Sequence, residues 1–106
     1  MINHVFIEGR IVDKPEVKSF KKGDKTAYVT NFRIANSLGK EKDMVHFFDV
    51  ILFNAVGDKL VKGQNVAIDG RLEQNRYEKD GEKVSRVKIV ADRIVFGNVP
   101  SGEGNE

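Results

Sequence analysis

The amino-acid sequence predicts an all-β domain in which five strands form a small closed or partly closed barrel. Short strand-like segments dominate, clusters of Gly, Asp and Lys divide them, and no long stretch has the period of a helix. Short strands at regular spacing, with the last two long, are typical of small barrels. The predicted strands cover residues 4–12, 26–36, 45–53, 64–77 and 84–96.

The first two strands alternate apolar and polar side chains, as expected for a wall with one face toward a core. On the first strand, the predicted core face holds Val5, Ile7, Gly9 and Ile11. On the second strand, the predicted core face holds Tyr28, Phe32 and Ile34. The outer face of the second strand then holds Val29, Asn31 and Arg33.

The third strand, VHFFDVILF, is apolar on both faces and has two interpretations. One is a central strand that is buried on both sides. In a barrel, however, a strand turns only one face to the core, so Phe47 and Phe53 on the outer face would need a partner. That partner is either another subunit or stacked bases. The following connection, residues 54–62, is expected to hold one or two helical turns that end at Gly63.

The last two strands, joined by Asp80-Gly81, carry the strongest functional signal. Both turn residues tolerate positive φ, which a tight hairpin needs. The predicted core face of the fourth strand holds Val66, Ile68, Gly70 and Leu72. Its other face holds Arg71, Asn75 and Tyr77. Glycine at positions 9 and 70 fits the bends of barrel strands. Cations and flat rings on one outer face suit a charged polymer with stackable bases, which is single-stranded nucleic acid.

Composition places the chain among small binding domains. Its 106 residues suffice for one core, and 18 Lys+Arg against 16 Asp+Glu leave a net charge of only +2. Cysteine is absent, no apolar run approaches membrane-spanning length, and no phosphate loop, nucleophile elbow or metal-ligand spacing occurs. We therefore expect a non-enzymatic, cytoplasmic protein without cofactor, metal or membrane contact. Residues 1–99 are expected to form the domain and 100–106 a flexible tail.

The candidate DNA-binding residues combine rings and cations. The predicted stacking rings are Phe47, Phe53 and Tyr77, with Phe20 in the basic loop SFKKGDK as a further ring on a mobile arm. The predicted phosphate neighbours are Arg10, Arg33, Arg71, Arg76, Lys62 and Lys88. Each has a simpler alternative: Phe53 could be core, Phe47 could lie between subunits, Arg76 could face away from Tyr77, and Lys62 could cap a short helix.

The same segments resemble the bacterial single-stranded DNA-binding protein (SSB) family over about residues 3–97. The matching pieces are NHVFIEGRIVDKPEV, VTNFRIAN, VHFFDVILF, KGQNVAIDGRLEQNRYEKDGEKV and VADRIVF, in this order. The resemblance implies a Greek-key OB-fold barrel, usually a homotetramer, that binds single-stranded DNA with little sequence preference in replication, recombination and repair. By position, Phe47, Phe53 and Tyr77 fall where the family stacks bases. The residues implied at subunit contacts are His4, Phe6, Glu8, His46 and Phe48.

Three features depart from the family pattern. The connection at 54–62 is short, the hairpin at 36–43 has no aromatic residue, and the chain ends in SGEGNE where relatives usually carry a long tail with an acidic end. Without that tail, recruitment of replication or repair proteins is not expected. The alternatives are a dimeric OB-fold primosomal accessory protein, acting in replication restart mainly through protein contacts, and an interaction module whose outer phenylalanines lie in an interface.

Overall fold

Strands and one short 3-10 helix make up the fold in the computed structural model, which describes residues 1–39 and 44–97. The elements in chain order are β1 (Val5–Ile11), β2 (Glu16–Lys22), β3 (Lys25–Ser37), β4 (Val45–Leu52), η1 (Val56–Lys59), β5 (Asn65–Lys79) and β6 (Glu82–Phe96). All five predicted strands are present, each within two residues of its predicted bounds. The predicted tail at 100–106, the domain boundary at 99 and residues 40–43 of the short hairpin lie outside the described residues.

The strands form one sheet that closes on itself. Their order is β1-β5-β6-β4-β3-β2, and the register pairs Arg10 with Ala35 and Ile11 with Ile34 to join β1 to β3. The β4–β6 pairing is parallel, whereas the other pairings are antiparallel. Five strands thus enclose the barrel, which confirms the predicted Greek-key OB-fold architecture.

The β2 strand is the main addition to the predicted fold. In the described part of the chain it pairs with β3 alone, from Glu16 opposite Asn31 to Lys22 opposite Lys25. This is the same edge of β3 with which β1 pairs further along the strand. The basic segment is therefore not a loop, and Phe20 lies on a strand rather than on a mobile arm. A positive φ of 67° at Gly23 lets the hairpin turn within two residues.

The core lies inside the barrel and follows the predicted alternation closely. Its buried members are Ile11, Phe32, Ile34, Val50, Leu52, Leu60, Val66, Ile68, Ile89 and Ala91. These side chains come from every barrel strand and from the segment after η1. Burying a single large apolar side chain contributes about 1.5–3 kcal/mol, so this set is the principal source of stability.

Two residues predicted to face the core are exposed instead. Tyr28 is on the expected face of β3, but it lies opposite Ser19 on the β2–β3 hairpin, beyond the barrel wall. Leu72 lies where the β5–β6 hairpin leaves the barrel, and it too is exposed. Alternation places both side chains on the correct side of the sheet. The alternation does not show where a strand extends beyond the core.

A bulge in β6 changes which residues face outward. Asp69 pairs with Arg93 whereas Gly70 pairs with Ala91, so Asp92 is the extra residue. A Cβ at Gly70 would stand 2.1 Å from the carbonyl oxygen of Val90. Glycine at this position therefore permits the close approach of β5 to β6, as its predicted role at a bend requires.

The predicted turns are confirmed. Asp80 and Gly81 have φ values of 55° and 81°, and Lys79 pairs with Glu82 across a two-residue turn. Helical structure after β4 is limited to one turn, η1, and Gly63 follows with a φ of 87°. Within the described ranges, no helix is long and apolar enough to cross a membrane.

Candidate nucleic-acid interface

The outer face of β4 presents two aromatic rings to solvent. Phe47 is 58% exposed and Phe53, directly after the strand, is 60% exposed. Their neighbours Val50 and Leu52 point into the core, as alternation requires. The interpretation of β4 as a strand buried on both sides is therefore wrong, and the barrel interpretation is confirmed.

Pairing across the sheet extends this outer face to β3 and β6. Ala35 lies opposite Phe47, Asn31 lies opposite Ile51, and Ile51 also pairs with Val90 on β6. Because paired residues in a sheet point to the same side, these side chains cover one continuous surface. We call this surface, on β3, β4, β6 and β5, the aromatic face.

The third predicted ring lies on the same side of the sheet at the β5–β6 hairpin. Arg71 pairs with Val90, Glu73 with Lys88 and Tyr77 with Val84. Tyr77 is 43% exposed. Val84 and Val90 are six strand positions apart, which places Tyr77 roughly 20 Å along the strand from the barrel wall. The hairpin therefore extends the aromatic face well beyond the barrel.

An open groove of about 530 Å³ crosses the aromatic face. Its polar lining consists of Asp13, Lys14, Glu16, Asn31, Arg33, Asp49, Asn75, Arg86 and Lys88. The groove brings together two of the predicted phosphate neighbours, Arg33 and Lys88. It also contains Lys14 and Arg86, which were not predicted from the sequence as phosphate neighbours. Arg86 has the same parity as Lys88 on a predicted strand, and that signal could have identified it.

Two arginines of the aromatic face, Arg33 and Arg71, are paired with carboxylates. The Nε atom of Arg33 donates to Oδ1 of Asp49 at 3.0 Å. The guanidinium of Arg71 contacts Glu73 and Asp92, each at 3.3 Å. These pairs are about half exposed, so they contribute little to stability. These ion pairs instead reduce the local positive charge that a ligand meets on the aromatic face.

Two further predicted DNA contacts, Phe20 and Arg10, lie on strands that adjoin the aromatic face. Phe20 and Lys18 lie beside Ala27 and Val29, on the same side of β3 as Asn31, so they extend the aromatic face along the β2–β3 hairpin. Arg10 lies opposite Ala35, which in turn neighbours Phe47.

Two predicted cations lie away from the groove. Arg76 pairs with Ser85 on the reverse side of the hairpin and donates to Gln74 at 3.1 Å. Lys62 lies in the turn before β5 and does not line the groove. Arg76 therefore does not add to the positive charge of the aromatic face.

The residues expected at subunit contacts surround the outward side of β1. Phe6 is 70% exposed and lies opposite Asp69. His4 contacts Asp69 at 2.6 Å, and Oε2 of Glu8 accepts a hydrogen bond from Asn65 at 2.7 Å. Phe6 and Glu8 share the outward side of β1, and His4 directly precedes the strand.

The two predicted contact residues on β4 approach the same edge. His46 pairs with Asn36, whose side-chain amide donates to the backbone oxygen of Glu8 at 2.7 Å. Phe48 pairs with Ile34, which pairs with Ile11 of β1. Between Val5 and Gly9, β1 pairs with β5 alone, so within the described residues its second edge has no strand partner.

The described residues also show what kind of chemistry the surface can perform. Within 1–39 and 44–97, no group of three His, Cys, Asp or Glu side chains is arranged to hold a metal ion. The aromatic face instead offers exposed rings and paired charges. Its chemistry is that of reversible stacking and ion pairing.

A closed five-stranded OB barrel with exposed rings and a charged groove on one outer wall defines an oligonucleotide-binding class of protein. A sequence profile of the single-strand binding protein family matches residues 2–97. The chain belongs to this family, whose members bind rather than catalyse. The resemblance noted from the sequence is thereby confirmed.

Individual relatives agree with the family assignment. A single-stranded DNA-binding protein of Aquifex aeolicus is 34% identical over 109 residues, which cover 96% of this chain and 74% of the relative. One from Treponema pallidum is 33% identical over 111 residues, covering 95% of this chain and 61% of the relative. One from Staphylococcus aureus strain MW2 is 30% identical over 114 residues, covering all of this chain and 72% of the relative.

Proposed function

We propose that this protein binds single-stranded DNA with little sequence preference and protects it during replication, recombination and repair in the cytoplasm. The observation that carries the proposal is the exposure of Phe47, Phe53 and Tyr77 on one outer surface. Every base has a π face, so stacking on these rings tolerates any sequence. Arg33 and Lys88, with Lys14 and Arg86 in the same groove, supply positive charge near the backbone of a bound strand.

The direct test is fluorescence anisotropy of labelled oligo-dT, compared with a duplex of equal length at 50 and 200 mM salt. We expect tight binding to the single strand, much weaker binding to the duplex and a measurable salt slope. Equally weak binding to both would overturn the proposal. The aromatic face would then be a protein interface, as in the interaction-module alternative.

The proposed assembly is a homotetramer built through β1. Its support is the edge of β1 next to Phe6, which has no strand partner among residues 1–39 and 44–97, with Val95 exposed on the neighbouring side of the sheet. Exposed apolar groups beside an open strand edge favour pairing with another copy. Light scattering after size exclusion should give about four times the chain mass of 11.9 kDa. A dimer with weak DNA binding would instead favour the primosomal accessory alternative.

A further inference from the structure

A strand of DNA that stacks on both Phe47 and Phe53 must pass a carboxylate. Asp49 lies between Phe47 and Phe53 along β4 and points to the same side of the sheet. Its side chain is about half exposed at 48%. A phosphate backbone following the rings therefore meets a negative charge at the centre of the aromatic face.

The same carboxylate occupies the nearest arginine. Arg33 is the cross-strand partner of Asp49, and its Nε atom lies 3.0 Å from Oδ1 of Asp49. The groove around this pair holds four cations, Lys14, Arg33, Arg86 and Lys88, against three carboxylates, Asp13, Glu16 and Asp49. Asp13 lies in the β1–β2 link and Glu16, the first residue of β2, is paired with Lys18, whereas Asp49 is on the barrel wall between the two rings. Of the three carboxylates, Asp49 therefore has the greatest effect on a stacked strand.

We propose that Asp49 holds Arg33 in an ion pair that keeps the arginine from the phosphates of single-stranded DNA, and so sets the affinity and salt dependence of the site. This inference rests on the proposed function. With Asp49 present, a phosphate competes with a carboxylate for Arg33 and is repelled by it. With Asp49 neutral, Arg33 is free to make one further phosphate contact.

The magnitude follows from counterion release. Each phosphate contact on a single strand changes the slope of log K against log[salt] by about −0.7. One added contact therefore raises the affinity about eightfold at 50 mM salt and about threefold at 200 mM salt, if counterion release is the only contribution. The gain shrinks as salt increases, which distinguishes it from an added stacking contact.

The test is anisotropy of labelled oligo-dT with Asp49→Asn, whose side chain keeps the shape of aspartate. Asp58→Asn on η1 is the control, since it makes the same charge change on an exposed residue outside the groove. We expect Asp49→Asn to bind about eightfold more tightly at 50 mM salt with a slope steeper by about 0.7, and Asp58→Asn to change little. The double variant Arg33→Gln/Asp49→Asn should return to the original slope. Thermal melts of each variant verify that the fold is retained. If Asp49→Asn does not retain the fold, Asp49→Ala is used in its place.

The outcomes separate this inference from the proposed function. If the unmodified protein does not bind oligo-dT, the proposed function fails and the inference fails with it. If it binds but Asp49→Asn is no tighter than Asp58→Asn, only the role of Asp49 is overturned. If the double variant keeps the steeper salt slope, the role of Asp49 is also overturned, because the additional phosphate contact would then come from a cation other than Arg33.

Discussion

Replacing Phe53 with alanine tests whether the aromatic face binds DNA by stacking. The ring is 60% exposed and lies at the end of β4, outside the core cluster. Its loss should therefore change the free energy of unfolding by about 0.5 kcal/mol or less. Stacking of a base on an aromatic ring contributes about 1–3 kcal/mol. At 1.4 kcal/mol for each tenfold change in Kd, the variant should bind roughly 5- to 150-fold more weakly.

The chain offers a matched control for this experiment. Tyr28 is also an exposed aromatic residue, 44% accessible, but it lies on the opposite side of β3 from Asn31 and Val29. Tyr28→Ala should leave the affinity for oligo-dT within about twofold, since a surface substitution removes no proposed contact. Anisotropy at 100 mM salt, with a thermal melt of each variant, measures both effects. Unchanged affinity in Phe53→Ala, or equal losses in both variants, would refute the stacking assignment.

Three further predictions address charge, assembly and packing. Lys88→Ala should make the salt slope of oligo-dT binding shallower by about 0.7 to 1, because one phosphate contact is lost. Phe6→Glu should lower the mass of the assembly measured by light scattering, because a charge replaces an apolar side chain beside the open edge of β1. Gly70→Ala should lower the free energy of unfolding in urea by about 1–3 kcal/mol, because its Cβ would meet the carbonyl of Val90.

Each of these predictions has a control and a contrary result. Lys59→Ala on η1 should keep the original slope, and an equal change in both lysine variants would remove Lys88 from the DNA path. Val87→Glu changes an exposed valine on the hairpin, so a loss of mass there as well would count against a contact at Phe6. Gly39→Ala would meet only the flexible Met44 sulfur at 3.2 Å, and a loss as large as that of Gly70→Ala would contradict the packing argument.

The barrel could be predicted from the sequence because each of its strands has one solvent-exposed side and one buried side. Phe32, Ile34, Val66 and Ile68 are buried as the period of two requires. The same rule could not find β2, since its side chains are mostly exposed and Val17 is only partly buried. A strand that extends an edge without adding to the core leaves no alternating apolar signal.

The candidate site could be predicted only in part, for a related reason. Parity on a single strand places Phe47, Phe53 and Tyr77 outward without any knowledge of neighbouring strands. The pairing of Arg33 with Asp49 depends on the β3–β4 register, which joins residues 16 positions apart. The addition of Arg86 to the groove depends on the parallel pairing of β4 with β6. Both are properties of the assembled sheet.

The bulge beside Gly70 explains how β6 contributes to two different outer surfaces. Before Asp92, the even-numbered residues of β6, such as Lys88, face outward and join the aromatic face. After Asp92, the odd-numbered residues, such as Val95, face outward on the side of β1. Ile89, before the bulge, is part of the core, and Ile94, after it, packs against the core. A Cβ at position 70 would push β5 away from β6 where the register shifts. Gly70→Ala should therefore weaken both DNA binding and assembly along with stability, whereas Phe53→Ala and Phe6→Glu should each affect one surface alone.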